Sequence, residues 1–259
     1  MCFQIDKTFT KKPYMGTMDM NFFKKVIDDC YTNGTKAITL ASRGEPTLHP
    51  KLPEMLDYVS NKFLEVKLNT NATKLSEKLI RKILETNVNE LVYSVDESNE
   101  KKYEKIRVGG KFKEVVNNIK NFKKIRDNEF PNSKTTTRIS GVLVNEDQDA
   151  KVITDFWKQY VDHVVFVKVQ NRWDTYNNSP DGVKSPCMYL WERMYVWFDG
   201  VTNPCDVDYK SELTMGKLDY EKNNIKKIWT SEFFQSLRKK HLNNERQTLK
   251  PCDRCGLTF

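Results

Sequence analysis

The sequence has no run of eighteen apolar residues, so no segment is long enough to cross a bilayer as a helix. It shows no charged-then-apolar leader, and the expectation is therefore a cytoplasmic protein rather than a secreted one. Histidine is scarce: His49, His163 and His241 are too scattered for a shared metal site, and each is expected on the surface or in a loop. There is no phosphate-binding Walker loop, no dinucleotide fingerprint and no G-x-S-x-G elbow, which removes the commonest nucleotide-dependent and serine-nucleophile enzymes. No low-complexity segment or long internal repeat is present.

The chain of 259 residues is 38% hydrophobic and 30% charged, the balance of a globular protein with a substantial core. Its net charge is +8. The lysines are dispersed among acidic residues, which reads as a solvated surface, with a basic face for an anionic partner as the alternative. No basic run is interleaved with aromatics in the manner of single-strand binders, so nucleic acid is disfavoured as a partner.

Apolar spacing predicts a helix over about 19–31, with Cys30 on its apolar face as a core residue. Strands follow at 36–42, 65–69, 89–96, 135–146 and 162–170. Helical stretches separate them, one opened by Ser76 as a cap. Alternation of this kind implies parallel strands joined by crossover helices. No strand precedes the first helix, so the pattern reads as a repeat that lacks its opening strand. After Gln170 the rhythm stops. Residues 171–186 are turn-rich, and a hairpin signal surrounds Asp199-Gly200. Two amphipathic stretches and the terminal PCDRC follow. The boundary between two structural units is placed near residue 180, giving 1–180 and 181–259.

The six cysteines are Cys2, Cys30, Cys187, Cys205, Cys252 and Cys255. In a reducing compartment metal ligation is a stronger reading than disulfides. Cys252-x-x-Cys255 directs two sulfurs to one centre, and the ends of the hairpin region supply Cys187 and Cys205. Four thiolates suit either Zn²⁺ or an iron–sulfur cluster, and spacing does not choose between them. Four buried apolar cysteines are the structural alternative.

These segments together resemble the radical S-adenosylmethionine (SAM) enzymes that carry a C-terminal SPASM or Twitch-type auxiliary-cluster domain. The most specific match is C-x₁₂-G-x₄-C (Cys187, Gly200, Cys205) followed by Cys252-x-x-Cys255. Further matches are RGEP, LNTNAT and SVDE…YEKIR after successive strands, and the later DGVTNPC, IKKIW and SLRKKH. The resemblance covers nearly the whole chain. It implies an α/β fold: a partial (β/α)6 TIM-like barrel lacking its first strand, plus a small domain of hairpin and helices holding one auxiliary 4Fe–4S cluster on Cys187, Cys205, Cys252 and Cys255.

In the family, C-x-x-x-C-x-Φ-C, with Φ apolar, holds a second 4Fe–4S cluster whose open iron takes SAM. Met1-Cys2 resembles its last two positions, which implies that the chain is truncated at its N-terminus. A lone thiolate would not retain that cluster, so SAM cleavage is expected of a longer parent and not of this fragment. The resemblance also implies that Gly44 and Glu45 meet the SAM ammonium, with Arg43 standing where the family has its first glycine. Asn71 would meet SAM or substrate, and Ser94 and Arg107 the ribose and carboxylate. Gly141 would either admit the adenine or mark a bulge. Arg172, or Asp174, would act as the base toward a substrate hydroxyl, or instead form a structural salt bridge. Trp173 and Tyr176 would stack on a sugar-like ring. The implied reaction is hydrogen-atom abstraction from a small, carbohydrate-like substrate, with a peptide as the lesser possibility and a flavodoxin or ferredoxin-type electron donor. The competing reading is a non-catalytic module whose four-cysteine site holds zinc or a cluster for stability alone.

Overall fold

A computed structural model describes residues 7–9, 11, 14–41, 43–170 and 175–258. The chain divides into two compact units, Gly34–Val169, and Met1–Asn33 together with Gln170–Phe259. The first helix, α1 (Met20–Thr32), belongs to the latter.

The central unit is a five-stranded parallel sheet. Its strands, β1 (Ala37–Leu40), β2 (Glu65–Thr70), β3 (Glu90–Ser94), β4 (Thr136–Leu143) and β5 (His163–Lys168), lie side by side in chain order. Strand order that never reverses belongs to a barrel wall rather than a doubly wound sheet. Right-handed crossovers then place every connecting helix on one face. These helices are α2 (Leu52–Val59), α3 (Glu77–Glu85), α4 (Glu100–Ile106), α5 (Phe112–Glu129) and α6 (Ala150–Trp157). The expected partial barrel is thus observed, and among the described residues no strand precedes α1.

Strand alternation sorts the side chains into two faces. Val66, Leu68, Leu91, Tyr93, Thr137 and Ile139 are buried beneath the helices, with Ile80, Ile83, Val115, Phe122 and Trp157 packed from the other side. Each fully buried side chain of this size contributes about 1.5–3 kcal/mol. The opposite face carries polar residues in register: Lys67 beside Glu90, Asn69 in line with Val92 and Arg138, and Ser94 beside Ser140. Glu90 accepts two bonds from Arg138, at 2.6 and 3.1 Å, and pairs with Lys67 at 3.0 Å. Burial works to raise the Glu90 carboxyl, but these bonds outweigh it and hold it below the ordinary carboxylate range.

The second unit contains α1, α7 (Tyr189–Glu192), the hairpin β6 (Tyr195–Val196) and β7 (Val201–Asn203), β8 (Gly216–Lys217), α8 (Ile225–Trp229) and α9 (Glu232–Leu242). The hairpin turns where the sequence places it. Gly200 sits at φ +89°, a conformation that a β-carbon disfavours, and Asp199 accepts the Val201 N–H at 3.1 Å. The strand β8 leaves no sequence signature, because two residues that include a glycine are too few for alternation to register. Helices α8 and α9 are capped by Asn224 and Ser231. Val26, Leu190, Leu213, Ile225, Ile228, Phe234 and Leu237 form the core, and Cys30 packs against it as expected. Asp29 ties α1 to α8 by accepting the Ile225 N–H at 2.6 Å.

Candidate functional site

Two groups of residues singled out by sequence fall in different units. The first lies at the C-terminal ends of the parallel strands, the end where βα-barrel sites form.

Glu45 follows β1, and its carboxylate reaches the end of β2. Oε1 accepts from the Thr47 N–H (3.1 Å), the Thr47 hydroxyl (2.7 Å) and the Thr70 hydroxyl (2.6 Å), while Oε2 accepts the Asn71 N–H at 2.7 Å. Glu45 therefore splints two strand ends and retains acceptor capacity on Oε2 alone. Gly44 beside it is exposed, and a β-carbon there would meet nothing within 4 Å. Arg43, which stands beside it, is buried. Asn71 accepts the Thr73 N–H and hydroxyl at 2.9 and 2.7 Å, and its own amide N–H₂ has no partner among the described residues.

Arg107 ends α4 and donates Nε–H to Asp96 Oδ2 at 2.6 Å. Asp96 is 1% exposed, and its other oxygen accepts the Val142 N–H at 2.9 Å. A buried carboxylate thus fixes the guanidinium by one edge. The terminal Nη edge has no partner among the described residues, the edge that pairs best with a second carboxylate. Ser94 lies within 15 residues of Arg107 in sequence, at the end of β3 beside Ser140. Asp96 is the residue that sequence reading missed, although it stands in the SVDE motif.

At Gly141 the β4–β5 register is continuous, so there is no bulge. A β-carbon would fall 2.3 Å from both the Val95 carbonyl oxygen and the Phe166 ring, so close packing of neighbouring protein requires the glycine. Cys2, Arg172, Trp173 and Asp174 lie outside the described residues. Tyr176 is not available for stacking on a ring: it is buried against Phe9 and Tyr209, and its hydroxyl donates to Asp208. Burial pushes that phenol up, aided by the charge and hydrogen bond of Asp208. Burial likewise pushes Asp208 up, to about 6, against the opposing bonds from Tyr176, Leu213 and Glu212.

The second group is the C-terminal cysteines. Cys187, Cys205 and Cys255 share one cluster with Val207 and Leu257, and Cys252 opens the terminal C-x-x-C turn. None is in a disulfide. Burial raises the Cys252 thiol, and charge on Cys187 and Cys255 raises it further, against the opposing charge of Arg246. Burial raises Cys205 as well, with added repulsion from Cys252. All four sulfurs are therefore electrostatic neighbours through Cys252. Among the described residues no group of three or more potential ligands forms a single-ion site. Four thiolates on one Zn²⁺, at Zn–S of about 2.3 Å, would sit roughly 3.8 Å apart.

Two residues that support the cysteines were not foreseen. His241 is 1% exposed rather than on the surface, and its Nδ1 accepts the Cys187 N–H at 3.1 Å. Burial and the nearby Arg246 charge push the imidazole down to about 4, so it stays neutral. Arg246, also 1% exposed, donates to the carbonyls of Cys252 and Ser185 (both 3.2 Å), Leu257 (2.9 Å) and Cys255. The only sequence trace of either is their position shortly before the C-x-x-C.

The cluster expected near the N-terminus is a different case. Through residue 156 the sequence contains two cysteines, Cys2 and Cys30, and Cys30 packs into the α1–α8 core. The residues present do not supply the three thiolates that such a cluster requires.

Residues 1–156 match the Radical SAM superfamily, and residues 187–256 match SPASM, an iron–sulfur cluster-binding domain. The chain is similar to the tungsten-containing aldehyde ferredoxin oxidoreductase cofactor-modifying protein of Pyrococcus furiosus, at 30% identity over 31% of this chain and 23% of that protein. It also resembles a probable GTP 3′,8-cyclase of Methanococcus maripaludis, at 28% identity over 46% of this chain and 39% of the relative. The antilisterial bacteriocin subtilosin biosynthesis protein AlbA of Bacillus subtilis is 30% identical over 41% of this chain and 24% of its own. The matched region spans less than half the length of these curated relatives. Among solved structures, BtrN in complex with AdoMet and 2-DOIA shares the fold with a TM-score of 0.64 and 19% identity, covering 99% of this chain and 87% of its own. Streptococcus suis SuiB bound to precursor peptide SuiA has a TM-score of 0.68 at 12% identity, covering 91% of this chain and 67% of its own. A parallel barrel wall followed by a four-cysteine unit, matched in both parts, places this chain in the radical SAM superfamily, with a SPASM iron–sulfur domain at its C-terminal end.

Proposed function

We propose that this chain supplies the SAM-binding wall and an auxiliary-cluster unit of a radical SAM oxidoreductase acting on a small, hydroxyl-bearing substrate. The observation that supports the proposal is that Cys252 neighbours Cys187, Cys205 and Cys255, with no disulfide among them. These four thiolates would hold a 4Fe–4S cluster, which supplies an electron acceptor for substrate oxidation when bound.

The wall residues divide the remaining work. Arg107, braced by Asp96, presents its free edge to the SAM carboxylate. Oε2 of Glu45 and the main chain at Gly44 receive the ammonium group. The Asn71 amide and the Ser94 hydroxyl bond to hydroxyls of SAM or substrate. Ser94, Ser140 and Asn69 give the open face of the sheet a row of short polar groups, which suits an alcohol better than an apolar ligand. Arg172, or Asp174, remains the proposed partner of the substrate hydroxyl. A flavodoxin or ferredoxin-type protein is the proposed electron donor. No step of SAM cleavage is assigned to this chain, because its residues do not complete the N-terminal cluster site.

Anaerobic reconstitution with iron and sulfide tests the proposal. The expected product is brown, with about four irons per chain. A colourless protein with one zinc would replace this reading with a structural module. Equilibrium dialysis of SAM tests the wall separately: Arg107→Ala is expected to weaken binding at least tenfold, and equal affinity would remove Arg107 from the site.

A further inference from the structure

Among the described residues Arg246, 1% exposed, is the least exposed arginine of the cysteine unit. Its guanidinium donates to four main-chain carbonyls, those of Ser185, Cys252, Cys255 and Leu257. No carboxylate pairs with it among the described residues. A fixed cation buried without a counter-ion is costly, and evolution of a fold normally removes it or pairs it. The nearby anions, when formed, are the thiolates: two of the four carbonyls belong to Cys252 and Cys255 themselves.

We propose that Arg246 is the built-in counter-cation of the four-cysteine site: it positions the Cys252–Cys255 turn through its carbonyls and holds the reduction potential of the bound cluster up. This inference rests on the auxiliary-cluster reading above. Reduction adds one electron to a cluster whose thiolate shell is already negative. A nearby positive charge that water cannot screen makes that added electron cheaper to accept. The guanidinium suits the task because its planar fork meets several carbonyls at once.

The test is a redox titration of the anaerobically reconstituted full chain, poised with dithionite and mediators and read by electron paramagnetic resonance. Wild type, Arg246→Lys and Arg246→Gln are compared after iron analysis. About four irons in the wild type establishes the cluster, and failure there defeats the underlying reading rather than this one. With iron retained, R246Q is expected to titrate at a more negative potential than wild type, and R246K close to wild type. Equal potentials in all three overturn the proposal. If R246Q does not load iron, R246K decides. A loaded R246K with a near-wild-type potential supports the charge role. Loss of iron from R246K as well, with unchanged circular dichroism, reduces Arg246 to a carbonyl scaffold and overturns it.

Discussion

The two units treat buried charge in opposite ways. In the parallel sheet, three arginines each face a carboxylate: Arg107 with Asp96, Arg138 with Glu90, and Arg126 with Asp162 at 2.6 Å. In the cysteine unit, Arg246 bonds only to carbonyls among the described residues. Arg238 donates to the carbonyls of Leu190 and Trp229 and lies over the rings of Trp229 and Phe234. The three sheet-unit arginines are thus each matched by a carboxylate, whereas the two most buried arginines described in the cysteine unit rest on carbonyls and rings. The contrast separates a region built for its own stability from one built around a group it does not itself contain.

The strongest way to break this contrast is to remove one sulfur. Cys252→Ser is expected to reduce reconstituted iron from about four per chain to below one, because Cys252 adjoins the other three thiols. Cys30→Ser, in the apolar core, is expected to leave the iron count unchanged. An iron content that follows Cys30 and ignores Cys252 would dissolve the distinction between the units.

The complementary test removes one charge from the sheet. Glu90→Gln leaves Lys67 and Arg138 facing each other without their carboxylate. The groups are partly exposed, so the cost is expected near 2 kcal/mol, below that of a fully buried pair. Urea unfolding of the whole chain measures it. A neutral result would show that the network is ornamental, and that the sheet is no better compensated than its neighbour.

How much of this was legible in sequence follows from the range of the forces involved. The alternation of strands and helices, the Ser76 cap and the Asp199-Gly200 turn are local patterns, and each appears where expected. What sequence did not reveal depends on tertiary partners. Arg246 and His241 act through main-chain groups distant in sequence, which leave no residue-type pattern. Tyr176 reads as a surface aromatic until Asp208 and Tyr209 are seen to enclose it. The tight fit at Gly141 requires knowing that Phe166 and the Val95 carbonyl crowd it. Asp96 was visible within a motif, but its bond to Arg107 depends on the fold of the loop between them.

Acid sharpens the comparison further. The Glu90 and Asp162 carboxyls are depressed; burial works against this, but hydrogen bonds from Lys67 and Arg126 among others prevail. Their stabilisation is present above the unfolded-state values near 4.5 and 3.8, and is lost as pH falls through the lower folded values. Asp208 runs the other way. Its folded value of about 6 lies above the unfolded 3.8, so its contribution is complete below 3.8 and is lost as pH rises through 6. The loss is on the order of 3 kcal/mol. Unfolding free energies of the metal-free chain between pH 3 and 7 should show both trends. Asp208→Asn should abolish the decline between pH 4 and 6, and E90Q should flatten the slope below pH 4.5. A decline that persists in D208N would assign it to another group.

The smallest expected effect is a control on the whole argument. Ser76 opens α3 in the sheet unit and accepts the Leu79 N–H at 3.3 Å; Ser231 opens α9 in the cysteine unit and accepts the Phe234 N–H at the same distance. Both caps are neutral, satisfy one main-chain donor and act within a single turn. If the units differ in charge compensation and not in the quality of their helices, Ser76→Ala and Ser231→Ala should each cost about 1 kcal/mol. Should the two units unfold in separate transitions, each cost belongs to its own transition. A Ser231→Ala penalty several times the other would place the difference in helix stability itself, and the buried arginines would then be a symptom of a weaker framework rather than its design.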